Sequence, residues 1–170
     1  MDESTSLGET FVNCIKEVEF TRGLHHQNIV QLIGLCKKPY CIITEFCAYG
    51  DLYTYIQSRK LRNMPFPEDF ILDLLIDICE GMEFLHSTAP PILHRDLKSA
   101  NILLCGISPD ELDKNKFCLA DCNNMTPKPF LAKVSDFGLS SRTFGPVSNR
   151  VVDNPLWLAP ELLSQQPYSW

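Results

Sequence analysis

The chain has 170 residues, 45% of them apolar, and a formal net charge of −6. That length supports one core, and the mildly acidic balance without basic runs excludes the clustered Lys and Arg of a nucleic-acid or anionic-membrane surface. No stretch approaches the roughly 20 uninterrupted apolar residues of a spanning helix; together with the acidic, hydroxyl-rich start from Met1 to Thr10, this predicts a cytoplasmic protein with no membrane insertion and no secretory signal.

Phe11, Cys14, Ile15 and Val18 recur at helical spacing with Glu17 and Glu19 among them, and Gly23 is a stop signal, so a helix is expected from Phe11 to Gly23. Asn28 to Cys36 and Tyr40 to Phe46 are short β-branched and aromatic runs separated by Lys37, Lys38 and Pro39, the pattern of two strands and a turn. After Gly50 and Asp51 a short helix is expected over Leu52 to Gln57, then a longer one from Phe70 to His86. Its apolar residues Ile71, Leu74, Leu75, Ile78, Met82 and Leu85 form one stripe, predicting a core helix. Pro90 and Pro91 end it ahead of a strand, loop, strand pattern in ILHRDLKSANILL. Residues Cys105 to Lys128 are polar, contain Pro109 and Pro127, and keep no period, which predicts a long surface loop before order returns at Phe130 to Val134.

Of the eight cysteines, Cys14, Cys36, Cys41, Cys47 and Cys79 fall inside periodic apolar segments, which predicts reduced thiols rather than a disulfide framework. Cys105, Cys118 and Cys122 lack a CxxC pair and a neighbouring His, so no zinc site is expected.

Three motifs carry the chemistry. His94-Arg95-Asp96-Leu97-Lys98-Ser99-Ala100-Asn101 resembles the catalytic loop of eukaryotic protein kinases, Asp136-Phe137-Gly138 their metal-binding turn, and Ala159-Pro160-Glu161 the end of their activation segment. The Lys98-Ser99 pair, Pro90-Pro91-Ile92-Leu93-His94 and Trp157 look most like the tyrosine-kinase-like group, whose members mostly phosphorylate Ser and Thr. The resemblance implies an α+β, two-lobed kinase-like fold that is truncated: an N-lobe remnant of one helix and two strands over residues 1–43, a hinge at 44–50, and the first part of a mainly helical C-lobe over 51–170, with the insert at about 105–128.

It also implies a function, transfer of the ATP γ-phosphate to protein Ser/Thr hydroxyls in signal transduction, with ATP, Mg2+ and a protein substrate as partners. The oligomeric state is not fixed by it. Phosphoryl transfer asks a protein mainly to align groups and offset charge. By position, Asp96 would orient the acceptor hydroxyl, Lys98 would stand near the γ-phosphate, and Asn101 and Asp136 would ligate magnesium through hard oxygen donors. Gly138 would permit the backbone turn. Glu17, nine residues before His26, matches the helix glutamate that pairs with the ATP-contacting lysine. Thr44 would be the gatekeeper, the Glu45 carbonyl and Cys47 amide would bond adenine, Asp51 would approach the ribose, and Leu103 would pack under the base. Arg95 is placed to pair with a phosphate on the activation segment, making Ser140, Ser141, Thr143 and Ser148 candidate regulatory sites. His94 is expected to be structural.

The pattern also departs from the family. No glycine-rich loop precedes Glu17 and no lysine precedes Lys16, whose side chain points about 100° away from that of Glu17. Asp153-Asn154 stands where Gly-Thr or Gly-Asn is usual before the substrate-facing strand, and Asn101 lies 35 positions before Asp136, where a short hairpin is usual. A partial domain of low stability and little activity on its own is expected, and a kinase-like binding or scaffold piece is the alternative to an enzyme.

Overall fold

The computed structural model describes residues 15, 17–106, 130–148 and 155–169. Helical backbone at 15 and 17–21 (α1) gives way to a turn at Arg22 and Gly23, as the glycine signals; Phe11 and Cys14 lie outside the described residues. The elements that follow are strands β1 (Leu32–Lys37) and β2 (Tyr40–Thr44), helices α2 (Leu52–Leu61) and α3 (Glu68–Ser87), strand β3 (Ile92–Leu93), a 3₁₀ turn (Ser99–Asn101), strands β4 (Ile102–Gly106), β5 (Phe130–Val134) and β6 (Ser141–Arg142), a second 3₁₀ turn (Pro155–Trp157) and helix α4 (Pro160–Leu163). The insert expected at 105–128 begins later than its composition suggests, because Cys105 and Gly106 complete β4; residues 107–129 lie outside the described residues.

The strands form three antiparallel ladders among the described residues: β1 with β2, β3 with β6, and β4 with β5. β1 starts later than expected, at Leu32, because Asn28 to Val30 are drawn onto β5. Ile29 bridges to Val134 in parallel, and Val30 N–H donates to the Val134 carbonyl at 2.9 Å.

β5 organises the core. Phe130, Ala132 and Val134 are buried and alternate with half-buried Leu131 and Lys133, the period of a strand with one fully covered face. Its edge away from β4 is satisfied without another full strand. Val134 N–H donates to the Asn28 carbonyl at 2.8 Å, Asn28 Nδ2 to the Ala132 carbonyl at 3.1 Å, and Ala132 N–H to Asp77 Oδ2 at 2.8 Å. Buried Asn28 and Asp77 thus replace water for backbone groups that would otherwise be orphaned.

α3 packs on β5 and β3, and its close approach depends on Gly81. A Cβ there would lie 2.7 Å from the Asn28 carbonyl oxygen and 3.2 Å from Val134 Cγ2. The buried line on α3 is Leu74, Asp77, Gly81 and Leu85, with Ile78 and Met82 packed against the core, which corrects the predicted stripe only at Ile71 and Leu75, exposed beside Leu72 and Ile76. The polar and small residues at 77 and 81 face the core because the β5 edge needs an acceptor and a gap there. α2 is longer than expected, running to Leu61 with Arg59 and Lys60 favourably placed at its C-terminal end. Phe130 anchors an aromatic cluster, edge-on to Tyr55 at 5.5 Å and to Phe70 at 5.3 Å.

Candidate active site

Two irregular segments meet beside the β4–β5 ladder. His94 to Lys98 joins β3 to the 3₁₀ turn, and Ser135 to Gly138 follows β5 directly. Their adjacency follows from register: Ile102 opposes Val134, so Asn101 comes beside Ser135, whose N–H and Oγ both donate to the Asn101 carbonyl at 2.9 Å. His94, 2% exposed, locks the same junction from below. Its Nδ1 accepts from Asp96 N–H at 3.2 Å, so Nε2 carries the proton and donates to the Ser135 carbonyl at 2.9 Å. Burial pushes the ring's pKa below its ordinary value, outweighing the Ser135 carbonyl and the charges of Asp136 and Asp96 that favour protonation. A neutral, doubly bonded imidazole is a structural strut.

Asp96, Lys98 and Asn101 converge. Asp96 Oδ2 accepts from Lys98 Nζ at 2.7 Å and from Asn101 Nδ2 at 2.9 Å, and the same amide nitrogen donates to the Asp96 carbonyl at 2.9 Å. Those two bonds fix the Asn101 amide, so Oδ1 is the hard donor that the side chain retains. Asp136 stands in the left-handed region, φ 65°, as does Arg95 at φ 67°. Here the expected role of Gly138 is corrected: the turn takes its unusual backbone at Asp136, and Gly138 has an ordinary φ, its N–H donating to Asp136 Oδ1 at 3.3 Å. A short polar side chain that bonds its own downstream backbone tolerates that region. Two residues in that region, one on each of the adjoining segments, are strain held by surrounding structure, a hallmark of functional sites.

Glu17 on α1 belongs to the same neighbourhood. Burial raises its pKa, and the negative charge of Asp136 raises it further. The glutamate that would pair with a lysine therefore meets a carboxylate. Phe137, 4% exposed, lies between Phe20 of α1 at 6.2 Å and His94 at 5.3 Å, an apolar column joining helix, turn and loop.

The segment after the turn is fastened under the loop. Arg95 Nε donates to the Leu139 carbonyl, Ser140 Oγ donates to the His94 carbonyl at 3.1 Å, and Thr143 N–H donates to the Pro91 carbonyl at 3.0 Å. Of the candidate regulatory hydroxyls, Ser140 is thus engaged, Ser141 is half-buried in β6, Thr143 donates to the Gly145 carbonyl at 2.8 Å, and Ser148 is exposed.

At the far end of β4 lies the hinge-like stretch. Thr44 closes β2 and is exposed. The Glu45 carboxylate accepts Gln31 N–H at 2.8 Å, and both its oxygens lie 2.8 Å from Lys133 Nζ. Tyr49 N–H donates to the Leu104 carbonyl at 3.1 Å and Leu104 N–H to the Gly50 carbonyl at 2.8 Å, so this stretch lies along β4. Half-buried Leu103 sits between its bridge to Asp51 and its partner Lys133. The Asp51 carboxylate caps α2, accepting Thr54 N–H and Thr54 Oγ1 at 2.8 Å each. One thiol expectation is corrected: Cys47 and Cys105 are joined in a disulfide, their Cα atoms 4.0 Å apart, whereas Cys36 and Cys79 are free thiols. Pairing between residues 58 apart depends on the hinge lying along β4, which no local spacing encodes.

Three residues that organise the site escaped sequence reasoning. Lys133, Gln31 and Ser135 act through partners far along the chain, and the alternation of FLAKV marks Lys133 only as facing away from the core.

A family model described as protein tyrosine and serine/threonine kinase matches residues 2–170. The chain belongs to that family. It is 44% identical over 94% of its length to "Probable serine/threonine-protein kinase pats1" and 38% identical over 91% to "Probable serine/threonine-protein kinase roco8", both of Dictyostelium discoideum. It is 36% identical over 90% to "Serine/threonine/tyrosine-protein kinase HT1" of Arabidopsis thaliana. The kinase chain spans 4%, 7% and 33% of those three relatives respectively. Its α+β ladders and helices accord with a kinase-like fold, and the segments His94–Asn101 and Ser135–Gly138 meet beside α1.

Proposed function

We propose that this chain carries the acceptor-orienting and metal-holding part of a protein kinase that moves the ATP γ-phosphate to Ser/Thr hydroxyls of proteins in cytoplasmic signalling, with residues 1–43, 44–50 and 51–170 as N-lobe remnant, hinge and C-lobe part. The observation that carries this reading is the bonding of Asp96 to both Lys98 and Asn101, in a loop tied through Asn101 to the segment bearing Asp136. The donor set fits magnesium, since Asn101 Oδ1 and the Asp136 carboxylate are the hard oxygens such an ion takes. Bound there, it would offset the charge of the phosphates.

The chain's own residues supply the rest. Asp96 accepts the hydrogen bond of the acceptor hydroxyl and takes its proton as the new P–O bond forms and the bond to the departing ADP oxygen breaks. Lys98 keeps that carboxylate oriented and adds a cation beside the transferring group. Asn101 holds Asp96 through two bonds. Leu103 offers the base an apolar floor, and Glu45 and Cys47 present backbone groups to its edge. In the full-length protein, Asp96→Asn lowers phosphate transfer to a generic Ser/Thr acceptor by at least about a hundredfold, with nucleotide binding retained. Equal turnover in the variant removes the role of Asp96.

A second reading is supported by Glu17. Its environment is set by burial and by the negative charge of Asp136, which favour a protonated side chain over one poised for a cation, so a kinase-like binding piece without catalysis is the alternative. A thermal shift of the isolated chain with magnesium and ATP separates the readings in part: a small or absent shift is expected. If the full-length protein also transfers no phosphate, the binding reading stands.

A further inference from the structure

We propose that Cys47 and Cys105 form a reversible thiol–disulfide site that ties the hinge to β4 and controls nucleotide exchange. This inference rests on the nucleotide-binding reading above. The backbone sets the two residues together independently of any sulfur bond. Tyr49 and Gly50 exchange hydrogen bonds with Leu104, and Asp51 bridges to Leu103, so the chain after Cys47 runs antiparallel to the strand that ends beside Cys105. With Cα atoms 4.0 Å apart, the two side chains meet across that ladder.

Their environments differ in a way that assigns roles. Cys47 is half-buried on the hinge, whereas Cys105 is 4% exposed. Cys47 is therefore the sulfur an oxidant reaches, and Cys105 the one that resolves the product. A hydroperoxide supplies the oxidising equivalents. The Cys47 thiolate attacks the peroxide oxygen, giving a sulfenic acid as the O–O bond breaks and an alcohol or water leaves. Cys105 sulfur then attacks Cys47 sulfur, forming the S–S bond and releasing water, so that two thiols lose two electrons and two protons in all. A small dithiol reverses the step by exchange. Disulfides in thiol-reducing compartments are mostly transient and redox-sensing, which suits a pair set at a functional joint.

The consequence is mechanical. The same stretch is already tied by the Glu45–Lys133 ion pair to β5. A covalent link three residues beyond the gatekeeper position removes the remaining freedom of the joint, and a cleft that opens less admits and releases nucleotide more slowly.

The test uses the full-length protein, treated with hydrogen peroxide or with dithiothreitol and then alkylated. Peptide mapping without reductant is expected to recover a Cys47–Cys105 linked peptide only after peroxide. Exchange of a fluorescent ATP analogue is expected to slow several-fold in the oxidised protein, to recover with dithiothreitol, and to be unaffected by peroxide in Cys105→Ser. Alkylation of both cysteines after peroxide, with no linked peptide, overturns the site; a linked peptide with unchanged exchange overturns the control. A reduced protein that binds no nucleotide overturns instead the nucleotide-binding reading, and the peptide map still reports on the disulfide.

Discussion

The junction around β4 and β5 and the β1–β2 hairpin obey different physics. At the junction, the outer-edge backbone groups of Ala132 and Val134 on β5 bond to Asn28, Val30 or Asp77, and Phe130, Ala132 and Val134 are buried. On the hairpin, Ile33 is 66% exposed, Ile43 43% and Tyr40 48%, and no core residue lies on either strand. The motif segments hang from the first region, while the second leads into the stretch from Glu45 to Gly50. The geometry of the His94–Asn101 loop therefore rests on a core that β1 and β2 scarcely touch, and substitutions in the two regions should differ in cost by several-fold.

The largest effect belongs to Phe130, which begins β5 and meets Tyr49, Tyr55 and Phe70. Phe130→Ala leaves a cavity that this cluster cannot refill, at a cost of about 3–5 kcal/mol. The urea midpoint of the full-length domain measures it; a change below about 1 kcal/mol would show that β5 is not the organising strand.

Gly81 comes next. A methyl 2.7 Å from the Asn28 carbonyl pushes α3 off β5 or breaks the Asn28–Val134 hydrogen bond. Gly81→Ala therefore costs about 1–3 kcal/mol despite alanine's better helix propensity, and it disturbs the segment leading to Asp136. Unchanged stability with a protected Val134 amide in hydrogen exchange would refute the close approach.

These two positions also show what the sequence made legible. The existence of α3, β1, β2 and β5 could be read, because each is a local period. The side of α3 that faces inward was only partly legible: Leu74, Ile78, Met82 and Leu85 of the apolar stripe lie in the core or against it. Ile71 and Leu75 look like core and are exposed, whereas Asp77 and Gly81 look like surface and are buried, since what selects them is the bonding of a strand more than fifty residues away. The same holds for Lys133, whose partner Glu45 is separated by 88 positions, and for the thiols of Cys47 and Cys105.

Protonation sharpens the contrast at smaller amplitude. The His94 pKa is lowered in the fold, so the unfolded chain binds its proton first. Its contribution to stability is whole above about pH 6.5 and is lost as pH falls through the folded value. Glu17 works in the opposite sense: with its pKa raised, its contribution is whole below about pH 4.5 and is lost as pH rises through the folded value. Glu17→Gln is accordingly expected to raise the thermal midpoint at pH 7 and to leave it unchanged near pH 4. A lower midpoint at pH 7 would mean that the carboxylate has found a cation in the folded protein.

The smallest effect tests the hairpin. Ile33 sits at the irregularity between Leu32 and Gly34, where the register with β2 shifts and its side chain turns outward. Removing apolar atoms that are already hydrated forfeits little transfer energy, so Ile33→Ala is expected to move the urea midpoint by less than about 0.5 kcal/mol, the range of ordinary surface changes. Its β propensity is the main thing lost, and that acts on a ladder with a single partner strand among the described residues. A cost near that of Phe130→Ala would require Ile33 to be covered in the full-length protein, making the exposed hairpin face the site where further structure docks.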